Sequence, residues 1–239
     1  MAETTAKKSA KAPVDTSAKI KEAYLDHLLE HGEATPSVYQ FAKRLKMKEA
    51  TFYEHYNSFT SLERDIWRGF FDQALEQIQG DEVYREYSVR EKLLAFYYTW
   101  IEVLKNNRSY VTFRVQHMGL ADAGRPNMRR PIGRMGSGQM NIDVLSRFKE
   151  GFLDFANELL MEGRETEEVV DRPLISSNYD EGLWRQVLFV LNFWVKDDSQ
   201  NFERTDVAIE KAVNLSFDLF GRSALDSAVD FARFLYQRR

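Results

Sequence analysis

The sequence predicts an all-α protein in two parts, a small three-helix domain followed by a larger helical one, and three observations carry that expectation. Apolar residues recur at helical spacing in segment after segment, with almost no strand-like alternation. Breakers separate the segments: Gly32, Pro36, Gly80-Asp81, Asn106-Asn107, the stretch AGRPNMRRPIGRMGSG, Pro173, Asp197-Asp198 and Gly221. A length of 239 residues suffices for one small domain and one with a sizeable core.

Residues 1–17, MAETTAKKSAKAPVDTS, are rich in Ala, Thr, Ser and Lys without an apolar period, so a disordered tail is expected. A first helix is expected over 18–31. Residues 37–62, SVYQFAKRLKMKEATFYEHYNSFTSL, then hold two short helical patterns, 37–45 and 48–55. In the first, Val38, Phe41, Ala42 and Leu45 share one face at i, i+3, i+4 and i+7, and Thr35, Pro36 and Ser37 supply the start signal. In the second, Phe52 and Tyr56 share one side while Thr51 and His55 share another. Two short helices around a three-residue break make a helix-turn-helix domain over 18–59.

Residues 60–239 form the second part, with helices expected at 60–79, 88–105, 108–121, 141–163, 180–196, 204–220 and 224–237. On 88–105, Val89, Leu93, Phe96, Trp100 and Val103 form one stripe and Leu94, Tyr97, Ile101 and Leu104 an adjacent one, an arc wide enough for burial on most sides. Phe148, Phe152 and Phe155 on 141–163, with Trp184, Leu191 and Phe193 on 180–196, add large side chains that either line an apolar cavity or fill the space themselves. Arg114, Gln116, His117 and Asn192 interrupt these patterns and need partners, from the protein or from a ligand. Arg125, Arg129, Arg130 and Arg134 stand in a Gly/Pro-containing connection, either a solvated loop or a guard at a pocket mouth. On 204–220, Ala208, Ala212, Leu215 and Leu219 lie on one side and Ile209, Val213, Phe217 and Phe220 on another, which suits a helix shared between its own core and a twin subunit. Asp197, Asp198, Ser199 and Thr205 offer turn and capping chemistry before it, and Ser223 with Asp226 resembles a capping box for a terminal helix that packs on the domain.

The run Thr51, Phe52, Tyr53, Glu54, His55, Tyr56 resembles the end of the recognition helix in the TetR/AcrR family of bacterial one-component regulators. Phe41-Ala42, the turn Leu45-Lys46-Met47 and Leu62 at the head of the 60–79 helix stand at the family's spacing. That resemblance implies a DNA-binding face of Ser37, Tyr39, Lys48, Glu49, Ala50, Thr51, Tyr53 and His55. Tyr53 and His55 would meet phosphates, Ala50 and Thr51 would lie near base edges, and Tyr39 would sit beside the groove. Lys7, Lys8 and Lys11 read as a solvated tail or as a basic arm along DNA. The sequence departs from the family at Lys46, where a turn glycine is usual, at Phe59, where a lysine is usual, and at Glu49 and Glu54, which bring carboxylates toward a polyanion. A second resemblance lies in FWVKDDSQNFERTDVAIEKAVNLSFDLF, which looks like the last core helices of TetR-type C-terminal domains. It implies a homodimer through Trp184, Val187, Leu191, Ala208, Ala212, Leu215 and Leu219. The family also implies a small, mainly apolar effector, for which Phe96, Trp100, Phe113, Arg114, His117, Phe152, Phe155, Asn192 and Phe193 are the candidate ligands, with the 60–79 helix as the link to DNA.

Other classes find little support. The chain has no cysteine and no GxSxG, P-loop, HExxH or GxGxxG pattern, so an enzyme is not expected, nor a cofactor or metal. His27 and His31 have metal-compatible spacing, and a solvated face is the simpler reading. Glu165, Glu167, Glu168 and Asp171 read as a surface run. Without a long apolar run or a signal segment, no membrane insertion and a cytoplasmic location are expected. The formal charge of −4 argues against a general polyanion binder. Two readings follow: a ligand-responsive regulator, a repressor that binds double-stranded operator DNA, or a TetR-fold lipid- or isoprenoid-binding protein without DNA recognition.

Overall fold

A computed structural model describes residues 15–32, 37–118, 142–172 and 176–221, and every regular element among them is helical. The chain divides into two compact units, Met1–Leu62 and Glu63–Arg239. The tail lysines, Thr35, Pro36, the arginine-rich connection and the 224–237 segment lie outside the described residues.

In the first unit, α1 (Thr16–His31) begins where the Asp15 carboxylate accepts from the Ser17 N–H at 3.0 Å. Residues 16 and 17, expected in the tail, are therefore the first turn of a helix. Gly32 closes α1 at φ 67°, its N–H donating to the Leu28 carbonyl at 2.9 Å. The second helix, α2 (Val38–Arg44), is capped by Ser37, whose hydroxyl accepts from the Gln40 N–H at 3.2 Å. The third, α3 (Glu49–Tyr53), is shorter than the periodicity suggests, and His55 stands in the turn beyond it.

Lys46 supplies the turn between α2 and α3 at φ 54°. Its N–H donates to the Lys43 carbonyl at 3.1 Å and that of Met47 to the Ala42 carbonyl at 3.0 Å, the paired bonds of a Schellman ending with a lysine in the position that favours glycine. A left-handed conformation costs a residue with a Cβ about 1–2 kcal/mol. Lys46→Gly should therefore stabilise this unit by about 0.5–1 kcal/mol after the added freedom of the unfolded chain is subtracted. Slower amide exchange in α1 and α2 would register the gain.

Rings fill the centre of the unit. Phe59 stacks on Tyr24 at 5.3 Å between centroids and meets Phe52 at 5.4 Å and Phe41 at 5.5 Å. At the position where the family usually has a lysine, the Phe59 ring is part of the packing that holds the helices together. Ile20, Leu28, Ala42, Tyr56 and Leu62 complete the buried set. His27 is also buried, at 8 % exposure, so the solvated-face reading fails for it.

The long helix α4 (Phe59–Gln79) starts on a reciprocal cap, in which Ser58 and Ser61 each accept the other's backbone N–H at 3.1 and 3.0 Å. In the second unit follow α5 (Val89–Lys105), α6 (Arg108–His117), α7 (Ser146–Glu165), α8 (Tyr179–Lys196) and α9 (Glu203–Phe220). α5 begins on a Ser88–Glu91 capping box. Short 3₁₀ turns at Glu82–Glu86, Ile142–Leu145, Ser176–Asn178 and Gln200–Phe202 join the helices. α5 packs on α7 and α9, and α8 on α7 and α9.

Three polar groups tie distant helix ends together. Glu168 accepts from the Val89 N–H at 3.1 Å, a carboxylate on the positive end of α5 rather than part of a solvated run. The Arg172 guanidinium donates to the Leu219 and Gly221 carbonyls at 2.5 and 2.6 Å and so closes α9. Asp197 accepts from the N–H and hydroxyl groups of both Ser199 and Thr205 at 2.6–2.9 Å, fixing the α8–α9 turn. Burial pushes its carboxyl up, and these four bonds outweigh that and hold it at about 2.

Candidate functional site

Two surfaces, one in each unit, can meet partners. The first is the outer side of α2 and α3. The i, i+4 pair Phe52 and Tyr56, with Phe41 and Ala42, faces inward, which turns the intervening residues outward. Tyr39 is 57 % and Tyr53 48 % exposed, unusual for tyrosines with packing available to them. Lys48, Ala50 and His55 are exposed, while Ser37, Glu49 and Thr51 are half-buried. Ser37 also has a structural duty as the cap of α2.

Between residues 37 and 56 the cations are Lys43, Arg44, Lys46 and Lys48 and the acids Glu49 and Glu54. The Lys43 ammonium lies 6.0 Å from the Tyr39 ring centre. Lys43 and Lys46, exposed on either side of Leu45 at the turn, add cations to this face that lie outside the recognition run. Glu49 sits in the first turn of α3, where a carboxylate favours the helix dipole, so its presence has a structural cause of its own.

The second surface is the outer face of α8 and α9. A groove of about 930 Å³ runs along it between Phe189, Val207, Ala208, Ala212, Leu215 and Leu219, with Arg185, Glu203, Arg204 and Lys211 at its edges. Phe189, Val207, Leu215 and Leu219 are exposed large apolar side chains. Ile209, Val213, Phe217 and Phe220, on the other side of α9, are buried. Trp184, Val187 and Leu191 do not belong to this face. All three are buried in the unit's own core, with Trp184 5.4 Å from Phe148, because the inward arc of α8 is the one that meets α7. Phe189 and Phe193 take the outward positions instead.

The nine candidate effector ligands are scattered. Phe96, Trp100, Phe152 and Phe155 are buried and pack on one another and on Phe71 and Phe148, with centroids 5.1–6.5 Å apart, so these rings occupy the space they were expected to line. The Arg114 guanidinium is bound in a fork to the buried Glu63 carboxylate, with Nε 2.8 Å from Oε2, and its charge is used inside the protein. Beside this pair the Tyr110 hydroxyl is pushed far up, first by burial and then by the Glu63 charge. His117 is exposed, its Nδ1 2.6 Å from the Phe113 carbonyl oxygen and its ring 4.1 Å from that of Phe113. Asn192 and Phe193 line a surface hollow of about 360 Å³ with Phe189, Lys196 and Arg204, next to the α8–α9 groove that shares Phe189, Phe193 and Arg204.

No cluster of three or more metal-ligating side chains occurs among the described residues. None of the described helices is long and apolar enough to cross a membrane.

Residues 131–235 match the model of the tetracyclin repressor-like C-terminal domain. That stretch of the second unit is thus similar to the C-terminal domain of tetracyclin repressor-like proteins. No curated protein sequence matches it. The solved structure of the fatty acid degradation regulator FadR from Bacillus halodurans is similar over 87 % of this chain and 97 % of its own, with a TM-score of 0.57 at 17 % identity, a likeness of fold.

Proposed function

We propose that this chain is a TetR-type regulator, a cytoplasmic repressor that binds operator DNA through α2 and α3 as a homodimer and is released by a small, mainly apolar effector. The observation that carries the reading is the outward set Tyr39, Lys48, Ala50, Tyr53 and His55, held over a packed ring cluster on the helix-turn-helix. The groove on α8 and α9 supplies the dimer face, and two such domains suit half-sites about 34 Å apart. Rings that fill their own space must part to admit an effector, so binding is coupled to a change of shape, and only a ligand that prefers the changed shape shifts the balance. The likeness to a regulator of fatty acid degradation supports an apolar effector class.

Fluorescence anisotropy against DNA from the gene's own upstream region, over a range of salt, tests the proposal. Affinity should fall steeply with salt as phosphate contacts are lost. His55→Ala and Tyr53→Phe should each weaken binding several-fold without altering sequence preference, and Lys48→Ala should also lower the salt slope by about 1. Absence of measurable binding at low salt refutes the regulator.

Glu54, exposed beside Tyr53, and Glu49 favour a second reading, a lipid- or isoprenoid-binding TetR fold without DNA recognition. Mass spectrometry of solvent extracts of the purified protein separates the two, since a copurified lipid with no DNA affinity selects the second.

A further inference from the structure

We propose that His27 and Arg44 form an acid-sensitive clasp between α1 and α2, which a proton on His27 opens, loosening the helix-turn-helix unit. The inference concerns the unit's own folding and holds whether or not the unit meets DNA.

The geometry assigns the protonation state. His27 Nδ1 lies 2.6 Å from Arg44 Nη1. A guanidinium has no lone pair to offer, so Arg44 donates and Nδ1 accepts. That bond exists only while Nδ1 carries no proton. On the other side, the His31 ring stacks on His27 at 4.3 Å, and His31 Nδ1 lies 3.1 Å from the His27 carbonyl oxygen. A protonated His27 would thus be a buried cation facing a second cation and stacked on another imidazole.

The charged and titratable groups acting on His27 are His31 and Glu30 on its own helix and Arg44 on α2. Burial, then His31, then Arg44, lower its pKa from the usual 6.5, and Glu30 alone opposes them. Glu30 is exposed and stands 3.9 Å from His31, so solvent and salt weaken its pull. For a group whose pKa is depressed on folding, the stabilisation is complete above the unfolded value and is lost as pH falls through the folded one. Acidification below about pH 6.5 therefore erodes the unit, because the unfolded chain takes up a proton that the folded one resists.

The clasp sits at a sensitive place. Arg44 is the last residue of α2, immediately before the Leu45-Lys46-Met47 turn that leads into α3. Loss of its anchor loosens the end of a seven-residue helix at the point where the chain turns toward α3.

Amide exchange of the full chain at about pH 7.5 and about pH 5.5, each corrected by the intrinsic rate of an unstructured peptide, tests the clasp directly. Protection of α1 and α2 should fall several-fold on acidification in the natural chain. In His27→Gln, whose side-chain oxygen still accepts from Arg44 and does not titrate, it should stay level. Arg44→Met removes the facing cation and should also blunt the fall, which covers the case in which His27→Gln does not fold. No loss in the natural chain, or a loss as large in a folded variant, overturns the clasp.

Discussion

Replacing Arg114 with methionine will lower the stability of the C-terminal unit by about 3 kcal/mol, because it takes the counter-charge from a buried carboxylate. Glu63 is 2 % exposed and accepts from two nitrogens of the Arg114 fork. A forked pair is among the stronger polar contacts, yet most of the cost of breaking it is the desolvated charge left behind. Glu63→Gln should cost less. The Arg114 side chain is 19 % exposed and long enough to carry its head to water, whereas Glu63 has no such route. Joint replacement by Glu63→Leu and Arg114→Met should recover most of the loss, since two apolar side chains then fill the volume of an ion pair. Urea unfolding followed by tryptophan fluorescence reads this unit alone, because all four tryptophans, Trp67, Trp100, Trp184 and Trp194, lie within it. Protein concentration must be held constant if the chain dimerises. A cost below about 1 kcal/mol for Arg114→Met would mean that the pair behaves as an exposed one.

Local periodicity made part of this legible. Phe41 and Ala42 on α2, and Phe52 and Tyr56 across α3 and its turn, are buried as their spacing suggests, since on a short helix with one apolar face the pattern leaves a single choice. α9 is similar, because one of its stripes is made of rings and branched residues and the other of small ones and leucines, and the bulkier stripe is inside. On α8 the same reasoning fails. Apolar residues surround it, and which arc faces inward is decided by α7 and α9, so Trp184 and Phe193 exchange their expected places. Contacts between distant residues left no trace either. Arg114 and Glu63 are 51 residues apart and Arg44 and His27 are 17 apart, and nothing near any of them announces a partner. Phe59 was visible only as a departure from a family pattern, and its reason lies in three rings from three other segments.

Leu215→Glu should abolish self-association while leaving the protomer folded, and with it most of the affinity for DNA. Leu215 is 60 % exposed in the middle of the α8–α9 groove, so a carboxylate there costs the isolated chain almost nothing. In a twofold dimer the same residue is buried twice, and each copy brings an unpaired charge into an apolar contact. A penalty of about 2 kcal/mol per charge gives roughly 4 kcal/mol in all, which raises the dimer dissociation constant about a thousandfold. Sedimentation velocity at micromolar concentration would then show a monomer with unchanged far-ultraviolet circular dichroism. Val213→Glu, two residues away on the inward side, is the contrasting case: it places the same charge in the core and should unfold the unit rather than dissociate it. Since operator recognition by two half-sites gains from their linkage, the Leu215 variant should bind operator DNA at least about a hundredfold more weakly. A Leu215→Glu chain that still sediments as a dimer would place the twofold contact elsewhere than on this groove.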